Sequence, residues 1–198
     1  AQVMHLVPIG VETSSNFLIT LFAAAEAARV LDDIDTAKSV YAALLPFRHL
    51  PILGSLGVVC VGSAERSLGV AARAFGDLDL AVHHFEHAVE RNHLLDHRVM
   101  AAIAEGELGC TLLERGEHDD VERGRLHAAA AVEMLRSFGL DQRADACALP
   151  LQDGQVAGVI TCLMDVTEFR EAAQRTTEAK EAAERSNAAK SEFLANIS

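Results

Sequence analysis

The sequence predicts a mainly α-helical protein: an array of helical hairpins, then a short β-hairpin and a long C-terminal helix of the coiled-coil type. Half of the 198 residues are apolar and only 5% are aromatic, a composition typical of helices packed through small side chains. A pattern of Leu-Gly, turn and spaced alanines recurs over about residues 12–142. Residues 168–198 contain neither glycine nor proline, as expected of one continuous helix.

The middle copy of the recurring pattern is the clearest. Leu68-Gly69 places a small residue where two helices can approach, and Gly76-Asp77 supplies a turn. Ala81, Phe85 and Ala88 then follow at helical spacing, so they share one face. We predict that this face fills the groove between the two helices of a hairpin.

The other two copies are less regular. The third contains Leu108-Gly109 and Gly116, with a turn over residues 117–123 that is a few residues longer. In the first copy, residues 17–30 are predicted to form the first helix, and a second-helix face begins at Ala37. The counterpart of Ala37 in the middle copy is Ala81, 44 residues further on. The usual period of such repeats is shorter, about 34 residues. The extra length falls in the linkers.

This region resembles the tetratricopeptide type of helical repeat. A narrower resemblance rests on Leu108-Gly109, Leu112-Leu113, Gly116, Asp120 and Phe138-Gly139-Leu140. With these residues the region resembles the repeats of LuxR-type regulators and of some bacterial adenylate cyclases. The resemblance implies a scaffold over residues 1–146 that binds protein partners.

The predicted β-hairpin occupies residues 147–167. Residues 148–152 alternate weakly, Asp153-Gly154 is a hairpin turn, and residues 155–164 are β-prone. An isolated hairpin is marginal in water, so packing on the last repeat or strand exchange is needed to stabilise it.

The end of that segment resembles the exit of a PAS domain. The motif is Asp165-Val-Thr-Glu168, and the resemblance implies that Asp165, Thr167 and Glu168 transmit a signal into the next helix. Thr167 is a suitable N-cap for that helix. Because only about 20 residues of a domain of about 100 are present, we expect no PAS pocket and no cofactor.

Residues 168–198 are predicted to form a signalling helix with a weak dimer seam. A heptad pattern places Phe169, Ala172, Phe193 and Ile197 on one side, which predicts a homodimer through this helix. A seam that lacks leucine in its middle suits a linker that shifts between two packings. The alternative is a solvated helix that merely connects modules.

The last ten residues read A-K-S-E-F-L-A-N-I-S. This run resembles the start of the dimerisation and phosphotransfer helix of bacterial sensor histidine kinases, in which the phosphoacceptor histidine follows at once. The chain ends one residue before that position. The resemblance therefore implies a kinase core outside this chain and no phosphoryl transfer on it.

Candidate catalytic and metal-binding residues are more easily explained by structure. His83 and His87 have the i, i+4 spacing of metal ligands, but we place them, with His84, on a solvated flank. Glu105 and Glu107 could pair for acid–base chemistry, yet they are as easily the polar rims of helices. We predict no catalytic, cofactor-binding or metal-binding residue.

The four cysteines are predicted to be reduced core thiols, with a metal or redox role as the alternative. None forms a Cys-x-x-Cys pair, and each lies among apolar neighbours. They are Cys60, Cys110, Cys147 and Cys162.

Charge and hydropathy exclude further classes of function. With 17 basic and 29 acidic residues the chain has a formal net charge of −12, whereas a nucleic-acid-binding surface must be basic. The longest apolar stretch, residues 50–62, is too short to span a bilayer. We expect no direct contact with nucleic acid, no membrane span and a cytoplasmic location.

The leading hypothesis is a non-catalytic regulatory segment of a bacterial signal-transduction protein that is coupled to a histidine kinase core. The alternative is a protein- or inducer-binding scaffold of a LuxR-type regulator or an adenylate cyclase. A third possibility is an unnatural junction near Cys147. Because no initiator methionine is present, we expect the chain to be part of a longer protein.

Overall fold

The computed structural model describes residues 16–54 and 57–153, with the backbone alone from residue 149. The described chain is mainly helical, as predicted, and contains a small two-stranded antiparallel sheet. Its helices are α1 (Phe17–Val30), α2 (Ile34–Leu44), α3 (Ala64–Ala74), α4 (Leu78–Leu94), α5 (Arg98–Arg115), α6 (Asp120–Ser137) and α7 (Asp141–Asp153). A 3-10 helix (Leu45–Phe47) and the strands β1 (Pro51–Gly54) and β2 (Val59–Ser63) connect α2 to α3.

Three of the connections between helices share one backbone geometry. Asp32, Gly76 and Asp96 have φ values of 52°, 88° and 52°, and each is followed by the residue that caps the next helix. At two of these caps, Asp33 and Asp77, φ is −90° and ψ is 88° and 85°. Each carboxylate accepts the backbone N–H three residues further on at 3.0 Å, which satisfies a free amide of the first turn.

A second recurrence relates α3 to α5. Leu68-Gly69 and Leu108-Gly109 lie 40 residues apart, as do Gly76 and Gly116. Both of these turn glycines have positive φ, which a residue without Cβ adopts at little cost. A Cβ at Gly109 would lie 2.7 Å from the backbone nitrogen of Ala128 in α6. The glycine therefore allows the two backbones to approach.

The apolar core lies between the helices in two clusters. The larger one joins β1 with the five helices α1 to α5, and its buried members include Leu21, Val40, Ile52, Leu68 and Phe85. Residues 64–72 of α3 are all buried, so this helix has no solvated face over that length.

The smaller cluster joins α5, α6 and α7 and corrects one prediction. Residues 148–152 do not form a strand, because they lie in α7. Gly139, with φ of 71°, ends α6, and Ala144 and Cys147 then pack in this cluster with Leu135. Burial of that helical face outweighs the weak alternation of residues 148–152. Residue 146, the predicted end of the repeat region, lies within α7.

The two-stranded sheet occurs in a stretch for which the sequence analysis predicted no strand. Pro51 pairs with Ser63 and Leu53 with Cys60. The fully buried Asn92 of α4 accepts the Ser63 N–H at 2.9 Å through Oδ1. The side-chain amide of Asn92 thus fixes the end of β2 against α4.

The described residues bear on the predicted thiols and on membrane spanning. Cys110 and Cys147 are buried and Cys60 is half-buried, and none of these three described cysteines takes part in a disulfide. No helix within the described residues is long and apolar enough to cross a membrane.

Candidate functional site

The interior of the helical region contains a charged network centred on Arg66. This arginine lies in α3 and is 1% exposed. Its guanidinium donates to Glu26 of α1 at 2.7 Å and to Glu107 of α5 at 3.1 Å. Glu107 is itself only 2% exposed. Arg66 therefore ties three helices together by charge-assisted hydrogen bonds.

Arg73 continues the network two helical turns further along α3. Its Nη2 lies 2.8 Å from Glu114 and its Nη1 lies 3.5 Å from Glu107. Because Arg66 and Arg73 are seven residues apart, as are Glu107 and Glu114, the ion pairs form two rungs between α3 and α5. Burial opposes the charge on Arg73, but the two carboxylates outweigh it and raise its pKa.

Glu26 is ionised despite its burial. Burial raises the pKa of its carboxyl group, whereas Arg66 and Arg29 lower it by more, so the net shift is downward. Arg29 lies 3.2 Å from the second carboxylate oxygen. Groups paired in this way fix the relative placement of helices, and their net contribution to stability is small compared with the cost of removing one partner.

A second polar chain joins α2, α4 and α3. The hydroxyl of Tyr41 lies 2.9 Å from Nε2 of His84, and Nδ1 of His84 lies 2.6 Å from Glu65. His84 and Glu65 are 3% and 5% exposed. If the carboxylate of Glu65 accepts from Nδ1 of His84, the tautomer with the proton on Nδ1 leaves Nε2 able to accept from the hydroxyl of Tyr41.

We expect Tyr41 to titrate above the usual range of a tyrosine. Burial first, and then the negative charges of Asp77 and Glu65, raise its pKa. The folded chain therefore holds this proton at a pH where the unfolded chain has lost it. The contribution of this group to stability is therefore complete below the pKa of Tyr41 in the unfolded chain. It is lost as the pH rises through the pKa of Tyr41 in the folded chain.

Because Tyr41 is the single tyrosine and the chain has no tryptophan, phenolate absorbance measures this group alone. Its midpoint in the folded chain should exceed that in urea. Equal midpoints in the folded chain and in urea would contradict the expectation. Tyr41→Phe, which has no phenol group, provides the absorbance baseline.

A third cluster lies where α4, α5 and α6 meet. Arg115, at the end of α5, donates to Asp79 of α4 at 2.8 Å and to both oxygens of Asp120 of α6 at 2.7 and 2.8 Å. The hydrogen bonds from Arg115 lower the pKa of Asp120 and those to Asp120 raise the pKa of Arg115. This bidentate pair holds the start of α6 against the end of α5.

The structure corrects the sequence analysis at two candidate positions. His84 is buried, because its ring bonds Tyr41 and Glu65, and so it does not lie on a solvated flank as predicted; His83 is exposed and His87 half-exposed. Glu107 is not a polar rim, because it accepts from Arg66 in the interior. Among the described residues no group of three or more His, Cys, Asp or Glu could hold a metal ion.

The residues predicted for repeat packing are mostly buried. Leu68, Ala81, Phe85 and Ala88 are fully buried. A Cβ at Gly69 would lie 2.7 Å from Cε1 of Phe85, so that ring occupies the space above the glycine. The remaining three are the buried Leu108 and Gly109 and the exposed turn residue Gly76.

The other predicted site residues lie outside the described residues. They are Asp165, Thr167 and Glu168 for signal transmission and Phe169, Ala172, Phe193 and Ile197 for the dimer seam. The remaining half of the predicted β-hairpin, the long C-terminal helix and Cys162 lie there as well. These assignments stay predictions.

Comparisons with protein-family models, with curated proteins and with solved structures found no match to this chain.

Proposed function

We propose that this chain is a non-catalytic regulatory scaffold of a bacterial signal-transduction protein, coupled to a sensor histidine kinase core. The observation that supports it best is the recurrence of one turn geometry at Asp32, Gly76 and Asp96, together with the Leu-Gly pairs of α3 and α5. Repeated connections of this kind are expected of a helical-repeat array. Such arrays bind protein partners along extended surfaces.

The ion pairs between helices suit a regulatory scaffold better than an enzyme. Arg66, Arg73 and Arg115 have their guanidinium groups bonded to carboxylates of neighbouring helices. Ion pairs between α1, α3 and α5 link distant parts of the chain, so a displacement of one helix strains its partners. Networks of this kind provide a physical route for coupling between sites.

The proposed output is the C-terminal helix. Its support is the run over residues 189–198, which resembles the start of a kinase dimerisation helix, and the heptad pattern before it. In this proposal the chain forms a homodimer through Phe169, Ala172, Phe193 and Ile197 and acts in the cytoplasm. Rotation or sliding of the paired helices would pass the signal on.

The test joins a bacterial kinase core, beginning at its phosphoacceptor histidine, directly after Ser198. ATP-dependent, acid-labile phosphorylation is then measured in three versions of the helix: unchanged, with two residues inserted after Arg185, and with seven inserted there. Two residues change the heptad phase and seven preserve it. We expect the two-residue insertion to change phosphorylation several-fold and the seven-residue insertion to leave it close to the parent value.

Equal phosphorylation in all three versions would reject coupling through this helix. It would favour the alternative, a partner- or inducer-binding scaffold of a LuxR-type regulator or an adenylate cyclase. That alternative has its own support in a shallow groove on α6, where Val121 and Leu126 are 42% and 65% exposed beside His118 and Arg125.

A further inference from the structure

The outer face of α4 carries a histidine pair that the proposed function does not use. His83 and His87 are four residues apart, and their ring centroids are separated by 4.4 Å at an interplanar angle of 54°. His83 is exposed and His87 is half-exposed. Side chains one helical turn apart lie on the same face, which is the spacing with which two imidazoles hold one metal ion.

The ring of His87 is already oriented for such a role. Its Nδ1 lies 2.8 Å from the backbone carbonyl oxygen of His83. Because a carbonyl oxygen only accepts, Nδ1 carries the proton and Nε2 carries the lone pair. Metal-binding histidines are commonly fixed in this way, by donation from the second ring nitrogen to a backbone carbonyl.

We propose that His83 and His87 form a surface site for a divalent transition-metal ion, with Cu²⁺ preferred over Ni²⁺ and Zn²⁺. The protein supplies two nitrogen ligands, and water completes the coordination, since the described residues place no third His, Cys, Asp or Glu with them. A structural zinc site needs four protein ligands in a tetrahedron. Two imidazoles with open positions suit tetragonal Cu²⁺, which also leads the general affinity order.

The chain contains a natural reporter for this site. The ring of His83 contacts that of His84 with a centroid distance of 5.6 Å, and His84 contacts Tyr41 at 5.5 Å. Tyr41 is the single tyrosine, and the chain has no tryptophan. Because paramagnetic Cu²⁺ quenches nearby fluorophores, binding at the pair should lower the tyrosine emission.

The experiment titrates the full, tag-free chain with Cu²⁺ in a non-coordinating buffer and follows the fluorescence of Tyr41. We expect saturable quenching with one ion per chain. His83→Ala and His87→Ala each remove a ligand, so they should weaken binding at least as much as loss of an outer-shell partner does, about tenfold or more. His93→Ala, an exposed position on the same helix, should bind like the parent. Circular dichroism of each variant checks that the helix content is unchanged.

Three results would each overturn the proposal. One is quenching of His83→Ala and His87→Ala at the same Cu²⁺ concentration as the parent chain. A second is an equal loss of affinity in His93→Ala, which would mean that the ion is shared among surface histidines without a defined site. A third is binding of Zn²⁺ in preference to Cu²⁺, measured by competition, which would contradict the assigned ligand set.

Discussion

Arg66→Ala is expected to lower the free energy of unfolding by about 3 kcal/mol, the lower end of the range for breaking a buried ion pair. The substitution leaves Glu26 and Glu107 without the guanidinium that joins them. The effect stays at the lower end because Arg29 and Arg73 still lie 3.2 and 3.5 Å from these carboxylates. Urea unfolding, followed by circular dichroism of the helices, measures the change.

The matched control is an arginine in an exposed ion pair. Arg136 lies 3.0 Å from Asp145, and the two side chains are 54% and 70% exposed. Arg136→Ala should change the free energy of unfolding by about 0.5 kcal/mol or less, since exposed pairs contribute little. Arg66→Met, which retains most of the apolar volume, separates loss of charge from loss of packing. Equal unfolding midpoints for Arg66→Ala and Arg136→Ala would show that the network carries no such energy.

The helices and several turns of this fold are predictable because their signals are local. The helix predicted over residues 17–30 is α1, Phe17–Val30. Gly76 ends one helix and Asp77 caps the next, as expected of a residue that tolerates positive φ followed by a side chain that accepts N–H groups. Signals of this kind depend on residues within one or two turns of each other.

The sheet and α7 were not predictable in the same way. Residues 51–63 contain proline, glycine and uncharged residues without clear alternation. Pro51–Gly54 and Val59–Ser63 become strands because Asn92 and α1 offer partners that are distant in sequence. α7 forms because Ala144 and Cys147 fill space beside α5 and α6. Both elements depend on burial against residues that are distant in sequence, and a short stretch of sequence does not reveal such contacts.

The charged network is hard to predict from the sequence for a related reason. A helix with solvent on one side shows its polar face in the sequence, but residues 64–72 of α3 are buried on every side. Arg66 and Glu107 then resemble ordinary surface residues until their helices are packed. The sequence signal is limited to two pairs of residues with the same spacing of seven: Arg66 and Arg73 in α3, and Glu107 and Glu114 in α5. Equal spacing allows two ion pairs to form between helices that lie in register.

Phe85→Ala is the second substitution for which we expect a large effect, a loss of about 3–5 kcal/mol in the free energy of unfolding. The ring is fully buried between α3 and α4 and packs over Gly69. Removing it takes apolar area out of the larger core cluster and leaves a cavity that the close-packed helices fill only in part. Urea unfolding of the variant against the parent chain measures the loss.

Gly69→Ala distinguishes a specific contact between ring and glycine from a general need for apolar volume. In the parent chain the new methyl group would lie 2.7 Å from Cε1 of Phe85, so we expect a cost of about 1–3 kcal/mol from overpacking. In Phe85→Ala the same methyl group enters the vacated space. Alanine also favours the helix over glycine by about 1 kcal/mol, so the substitution should become stabilising.

The effect of Gly69→Ala should therefore differ between the two backgrounds by about the overpacking cost, which a double-mutant cycle measures directly. Gly76→Ala is the control, because a Cβ there meets nothing within 4 Å and the cost arises from its φ of 88° alone. That cost should be the same with or without Phe85. If Gly69→Ala changed the free energy of unfolding equally in both backgrounds, the ring of Phe85 would not be the group that excludes a side chain at position 69. The close packing of α3 against α4 would then need another cause.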